Sequence, residues 1–410
     1  MNPYRMAPPS GAWDPKLKPR LVRLMRPFRT RKRIRTQQVV QVDVRHGERL
    51  RQAIDANCGV LITPNHATHA DPYTVYALAD HVDRPFYFMS TWHVFDAQPW
   101  IGQKMLQWHG AFSVDREAND LRAFKLALHI LQNEPHPLVI FPEGEVYHCN
   151  DRVTPFRDGA AAIALAAARR SERPIVCVPC GLKYRYLEDP TAELERVMDE
   201  LERRVFWRPR RHRPLTERIY SLAEALLALK ELEFLGQAAS GPLPQRLRSL
   251  AEEVLRRLER QCGIPSNGFT IPERVKQVRR HVLEQLGQLD AADPKRNMFQ
   301  EVLDDVFLVV QLFSYPGDYV AERPTIERLA ETLDKLEEDV LGIYSATIRG
   351  KRAVTVAIGE PIALQGGKGP KNAVAELTES LEAAVQGLLD ELNGAAGGAA
   401  NDECLGGSSR

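Results

Sequence analysis

The chain runs to 410 residues, 44% of them hydrophobic and 27% charged, so it exceeds one ordinary core and has the make-up of a soluble globular protein. No stretch nears the roughly 18 consecutive apolar residues of a membrane span, and the basic N-terminus has no apolar run behind it, which predicts no signal peptide and an intracellular chain. The formal charge of +1 conceals an asymmetry: from Lys16 to Arg35 there are ten Lys or Arg residues and no acid.

Residues 1–36 are Pro-rich and then basic, and are predicted to be poorly ordered in isolation. Leu17, Leu21, Val22, Leu24, Met25 and Phe28 cluster there well enough for a short amphipathic helix that would rest on anionic lipid. A basic tail without a partner, or one touching nucleic acid, is the plainer alternative. Val39–Val44 alternates like a half-buried strand, and Gly59–Thr63 is a short apolar run ending at Pro64. Asp71-Pro72 then opens a helix to about Asp80, with Asp71 as N-cap. Pro85–Met89 and Gly110–Val114 read as strands, Glu117–Gln132 as a helix, Pro137–Phe141 as a strand, Gly159–Arg170 as a helix and Pro174–Val178 as a strand. This alternation predicts an α/β domain over 37–189, its sheet covered by helices.

From 190 to 342 the pattern is helical nearly throughout, as in Val275, Val278, Val282, Leu286 and Leu289. Strand-like sequence returns at Ala353–Ile358, and a last helix spans Asn372–Leu392. The helical block therefore reads as an insertion, with the α/β domain resuming over 343–393. The Gly/Ala/Ser-rich tail, 394–410, is expected to be disordered. Within the insertion, Arg203–Arg213 is a basic connection that reads either as a solvated loop or as a face for phospholipid headgroups.

The six cysteines are scattered without a disulfide framework. Only Cys177 and Cys180 have C-x-x-C spacing. On a buried strand their thiols would point to opposite faces, and no second pair completes a zinc site, so their expected role is structural.

The candidate chemistry lies in Asn65-His66-Ala67-Thr68-His69-Ala70-Asp71, between a strand end and a helix start. A carboxylate at Asp71 can fix the tautomer of His66 and stabilise the imidazolium formed when the ring removes a proton. That is two-thirds of a Ser-His-Asp arrangement, with the hydroxyl left for the substrate to supply. On this segment alone, Asp71 as a mere helix cap and His66 or His69 as loop residues remain open. So does a metal-dependent hydrolase ligated by His66, His69 and Asp71, although no complementary histidine cluster is visible elsewhere.

Further segments follow in order: Gly110-Ala111-Phe112-Ser113-Val114-Asp115-Arg116, Phe141-Pro142-Glu143-Gly144, Pro155-Phe156-Arg157-Asp158-Gly159-Ala160 and Val178-Pro179. Led by His66-x4-Asp71, they resemble the glycerolipid and lysophospholipid acyltransferase superfamily over about residues 37–185. Gly359-Glu360-Pro361 matches a motif that in the family commonly follows the Val-Pro strand closely, which supports the insertion. The resemblance implies a mixed sheet flanked by helices and a general base, His66, oriented by Asp71. It implies that Arg116 binds the acceptor's phosphate, a bidentate task suited to guanidinium, with an ion pair to Asp115 or Glu117 as the plainer alternative. Glu143 and Gly144 would serve the acceptor's glycerol portion.

The implied reaction moves a fatty acyl group from acyl-CoA or acyl-carrier protein to a hydroxyl of a glycerol-phosphate, lysophospholipid or related lipid. It needs no metal or cofactor and no nucleic acid, and it takes place peripherally at the cytoplasmic face of a membrane. The third block departs from the family: Glu145 stands where a small or hydroxylated residue is common, which argues against a phosphate lying snugly there. Because of that departure, a non-catalytic lipid-binding protein stays as an alternative.

Overall fold

A computed structural model describes residues 8–265, 270–290, 292–367 and 370–405. The chain divides into an α/β unit (Ser10–Val114, Asp120–Asp189 and from Ile348 onward) and a helical unit made chiefly of Pro190–Thr347. The segment Asp115–Asn119 also packs with the helical unit.

In the α/β unit the basic N-terminal stretch forms two helices, α1 (Pro19–Leu24) and α2 (Arg26–Gln37), each with a proline in its first turn. Strand β1 (Val39–Arg45), α3 (Gly47–Asp55), β2 (Gly59–Pro64) and α4 (Asp71–His81) follow. Next come β3 (Tyr87–Thr91), α5 (Trp92–Asp96), α6 (Trp100–Trp108), β4 (Ala111–Val114), α7 (Leu121–Asn133), β5 (Leu138–Val139), α8 (Gly159–Ala168) and β6 (Ile175–Tyr186).

Seven helices, α9 (Thr191–Phe206), α10 (Leu215–Leu235), α11 (Leu243–Cys262), α12 (Ile271–Gln288), α13 (Lys295–Phe313), α14 (Tyr319–Glu322) and α15 (Ile326–Leu341), then lead to β7 (Arg352–Ile358), β8 (Ile362–Leu364) and α16 (Ala373–Leu405). The sheet is mixed and eight-stranded, in the order β1-β7-β6-β2-β5-β3-β4, with β8 beside β6.

Each face of the sheet has its own core. Val60, Ile62, Leu78, Val178 and Cys180 pack on one side, and Leu61, Leu138, Ile130, Ala164 and Cys177 on the other. Strand alternation thus sends Cys177 and Cys180 into opposite cores. Burial pushes the Cys177 thiol up to about 12, and the Cys180 thiol rises for the same reason. Both thiols fill apolar space.

The basic segment is helical, as its apolar spacing predicts, and α4 supplies counter-charges: Arg29 Nη2 lies 2.6 Å from Asp80 Oδ1, and beyond the end of α4 Arg23 Nη2 lies 3.1 Å from Asp83 Oδ2. Two departures from the sequence reading have physical causes. Helices α5 and α6 were not anticipated, since their Trp- and Gln-rich sequence lacks a clean amphipathic period. The C-terminal helix continues to Leu405 where disorder was expected, its frequent alanines offsetting the glycines. The end of that expected tail, 406–410, lies outside the described residues, as do residues 1–7 of the N-terminal segment.

Strand β6 runs antiparallel to β7 up to the pair Tyr186–Arg352. Leu187 N donates to Lys351 O at 2.9 Å, and Lys351 Nζ lies 2.7 Å from Glu188 Oε1. The helical block accordingly leaves and rejoins the sheet where a hairpin turn would otherwise stand. Its own core is built from Leu250, Val254, Leu258, Val278, Val282 and Val306. Among the described residues no helix is long and apolar enough to cross a membrane.

The start of β2 tolerates no side chain. A Cβ on Gly59 would fall 2.0 Å from Leu131 O and 2.5 Å from Ile175 Cδ1. Gly59→Ala is expected to lower the unfolding free energy by about 3 kcal/mol or more, read from urea denaturation. An unchanged midpoint would contradict this packing.

Candidate active site

Parallel strands β2 and β5 are neighbours, and the chain leaving their carboxyl ends builds the site. This is where open α/β sheets place their ligands, because successive loops diverge there. Past β2, Asn65 is buried and clamps the main chain of Leu182 on β6, its Oδ1 accepting from Leu182 N at 2.7 Å and its Nδ2 donating to Leu182 O at 3.1 Å. Asn150 repeats the device on Tyr184, at 2.8 Å and 2.7 Å. Each amide thus imitates a strand's paired main-chain bonds and ties a loop to β6.

Held this way, His66 places Nδ1 2.8 Å from Asp71 Oδ2. The ring is 16% exposed, whereas Asp71 is wholly buried. Asp71 is not the helix cap that its position suggests. The N-cap is Ala70, and Asp71 lies in the first turn, where the helix dipole favours negative charge. Its Oδ2 turns back to accept Thr68 N at 3.0 Å as well as the imidazole. The Tyr184 hydroxyl, 2.8 Å from Thr74 Oγ1, also bears on Asp71, and burial followed by that carboxylate's charge holds the phenol well above its ordinary value. Tyr184 therefore stays a protonated donor.

The third block wraps the histidine. Phe141 stacks on the His66 ring with centroids 4.2 Å apart, and Tyr147 N donates to His66 O at 3.3 Å. Glu143 is buried and spends both oxygens on main chain, accepting His66 N at 2.6 Å and Thr154 N at 3.0 Å. Gly144 has φ +78, and a Cβ there would lie 2.8 Å from Arg157 Nε, so conformation and packing both require glycine. The Arg157 side chain thus occupies the space beside Gly144. Glu145 is buried as well.

The structure therefore brings His66, Asp71, Glu143 and Gly144 together within the α/β unit. Arg116 belongs to the segment grouped with the helical unit, where its Nε lies 3.4 Å from Glu117 Oε1. Buried Arg279 of α12 holds the neighbouring Asp115 Oδ2 at 3.3 Å. His69 packs edge-on against His148, with ring centroids 5.7 Å apart. Among the described residues, His66, His69 and Asp71 do not form a set of converging metal ligands. Thr68, Asn150, Thr154 and Tyr184 were not singled out from sequence. Tyr184 lies in Lys183-Tyr184-Arg185-Tyr186, past the Pro179 at which the strand was read to end, so no local signal marked it.

Burial pushes the Glu143 carboxyl up to about 7, against the pull of its two main-chain donors. A carboxyl raised from the unfolded value of 4.5 adds stability that is complete below about 4.5 and lost as pH rises through about 7. The stability difference between the wild type and Glu143→Gln should therefore shift against the wild type by up to about 3 kcal/mol between those limits. Parallel pH profiles in urea denaturation would contradict this.

Residues 41–183 match the family model described as Acyltransferase. No curated protein matches the sequence. The matched span holds the whole His66–Asp71 arrangement and the block around Glu143, and the mixed sheet with flanking helices agrees with an acyltransferase fold. Residues 41–183 thus carry an acyltransferase domain, consistent with the glycerolipid acyltransferase superfamily.

Proposed function

We propose that the protein transfers a fatty acyl group from a coenzyme A or acyl-carrier-protein thioester to a hydroxyl of a lipid acceptor, with His66 as general base. The observation that carries this reading is the imidazole fixed through Nδ1 on a buried carboxylate, with Nε2 left for the substrate, inside an acyltransferase domain. His66 Nε2 takes the proton of the acceptor hydroxyl as its oxygen attacks the thioester carbonyl. Asp71 stabilises the imidazolium, and the tetrahedral intermediate collapses with expulsion of the thiolate, which needs little help to leave. The imidazolium proton then passes to the thiolate or solvent, and no enzyme side chain is acylated.

Arg157 lies beside Gly144 of the third block, and the buried acid at Glu145 disfavours a phosphate there. In this reading the acceptor is a glycerolipid whose phosphate, where it has one, is not held by the third block. Exposed Leu24 and Phe28 among the arginines of α1 and α2 support work at a membrane surface as a peripheral protein.

His66→Ala should lower kcat for acyl transfer by about 10²–10⁴-fold while the protein remains folded, and Asp71→Asn should do comparable damage. The check is thiol release from acyl-CoA that depends on an added acceptor. Full transfer by His66→Ala would sink the mechanism. Tyr184→Phe should cost about tenfold in kcat with KM little changed, because the hydroxyl, tied to Thr74 at 2.8 Å, packs beside the carboxylate that orients His66. An unchanged kcat would leave Tyr184 with only a packing role.

A further inference from the structure

The connection from α9 to α10 in the helical unit displays an aromatic side chain that the proposed reaction does not use. Trp207 is 90% exposed, the most exposed of the large hydrophobic side chains among the described residues. It also holds a left-handed backbone, φ +65, a conformation that bulky residues seldom adopt. An indole in open water on a strained backbone does nothing for the core.

This loop is nonetheless rigidly built. Buried Glu202 accepts from Arg210 N at 2.6 Å and from Arg218 Nη2 at 2.7 Å. Buried Asp199 accepts from Arg211 Nε and Arg218 Nη2, each at 2.7 Å. The Arg210 guanidinium covers the Phe206 ring at 3.7 Å and donates to Ser221 Oγ at 2.8 Å. With both acids engaged inside, Arg204, Arg208 and Arg213 are exposed around the indole, and among the described residues none has an ion-pair partner. From Arg203 to Arg213 the sequence contains no acid at all.

We infer that this Trp207 loop is a docking surface for anionic phospholipid. An indole seats its apolar ring at headgroup level with its N–H toward water, and each neighbouring cation adds about fivefold to partitioning onto an anionic surface. The ion network holds the tip in place before contact, so little order is lost on binding. Single-stranded nucleic acid is the less suitable polyanion, because it takes a groove with successive aromatic platforms and this turn offers one indole. The choice of lipid rests on the lipid acceptor proposed above, whereas the existence of a docking surface does not.

The test uses the full chain and sedimentation with phosphatidylcholine vesicles, with or without about a third phosphatidylserine. Wild type should bind the anionic vesicles more strongly. Trp207→Ala should lower that partitioning at least about fivefold, and Arg204→Gln/Arg208→Gln/Arg213→Gln about a hundredfold, with a flatter salt dependence and unchanged melting. Both variants should acylate a water-soluble short-chain acceptor like wild type. His66→Ala should sediment like wild type, so loss of catalysis and loss of docking are read separately. Wild-type sedimentation by both loop variants would overturn the proposal and leave attachment to α1 and α2. Loop-dependent binding of an oligonucleotide without vesicle binding would overturn it too.

Discussion

A carboxylate buried to 0% exposure is the constraint on which the site depends. In water Asp71 would be solvated on every side, and inside the protein each lost contact has to be replaced by a donor or by favourable charge. The loop from Asn65 to Ala70 supplies these in the one way its length allows. It folds back so that Thr68 N and the His66 ring both reach Oδ2, while the first turn of α4 adds its dipole and Tyr184 approaches from β6. Both bonds fall on Oδ2, while Oδ1 is buried without a hydrogen-bond partner among the described residues, so orientation of the imidazole follows from pairing the one oxygen the loop can reach. A ring fixed through Nδ1 has only Nε2 to offer to a substrate, which is the geometry a general base requires.

Strand β6 makes that loop possible. At twelve residues it is the longest strand among the described residues, and its length serves three ends. Its first half pairs with β2 and closes the sheet. Its middle presents Leu182 and Tyr184 to the side chains of Asn65 and Asn150, which extend the strand ladder into loops. Its end pairs with β7 and brings the two ends of the helical block to adjacent strand positions. An insertion of this size is tolerated because the pairing around it is already closed, and the cost of a longer loop grows only slowly with length.

The sequence exposed whatever depends on local pattern. The strands β1, β2 and β4 and the helices α4, α7 and α8 are all periodic or punctuated enough to read. The His66–Asp71 pair was legible because its spacing fits a turn. What stayed hidden depends on distant partners. Strand β6 was cut short at Val178 because Pro179 looked like a terminus, yet Cys180 to Tyr186 continue paired with β7, more than 150 residues away in the chain. Asp71 passed for a cap because a cap and an acid that orients a histidine share the same sequence signature, and its contacts to Thr68 N and the His66 ring separate them. The basic stretch was legible as a helix, but its docking on α4 was not, because Asp80, the counter-charge of Arg29, lies on another helix.

The third block gains a different meaning from its contacts. A glutamate at that position suggests a group reaching for an acceptor, but Glu143 directs both oxygens to the main chain of His66 and Thr154. Loss of that carboxyl would first loosen the histidine, so a fall in rate on its removal would not by itself measure lost substrate binding. The same holds for Gly144, whose missing side chain makes room for Arg157 within the protein before any ligand is present. Phe141 completes the arrangement by stacking on the imidazole. In the proposed reaction this block therefore builds the base, and selection of the acceptor falls to groups around it. With Glu145 buried in the same turn, an anionic headgroup placed there would lower its own stability. In the proposed reaction, charge recognition of an acceptor falls to cationic groups outside the block.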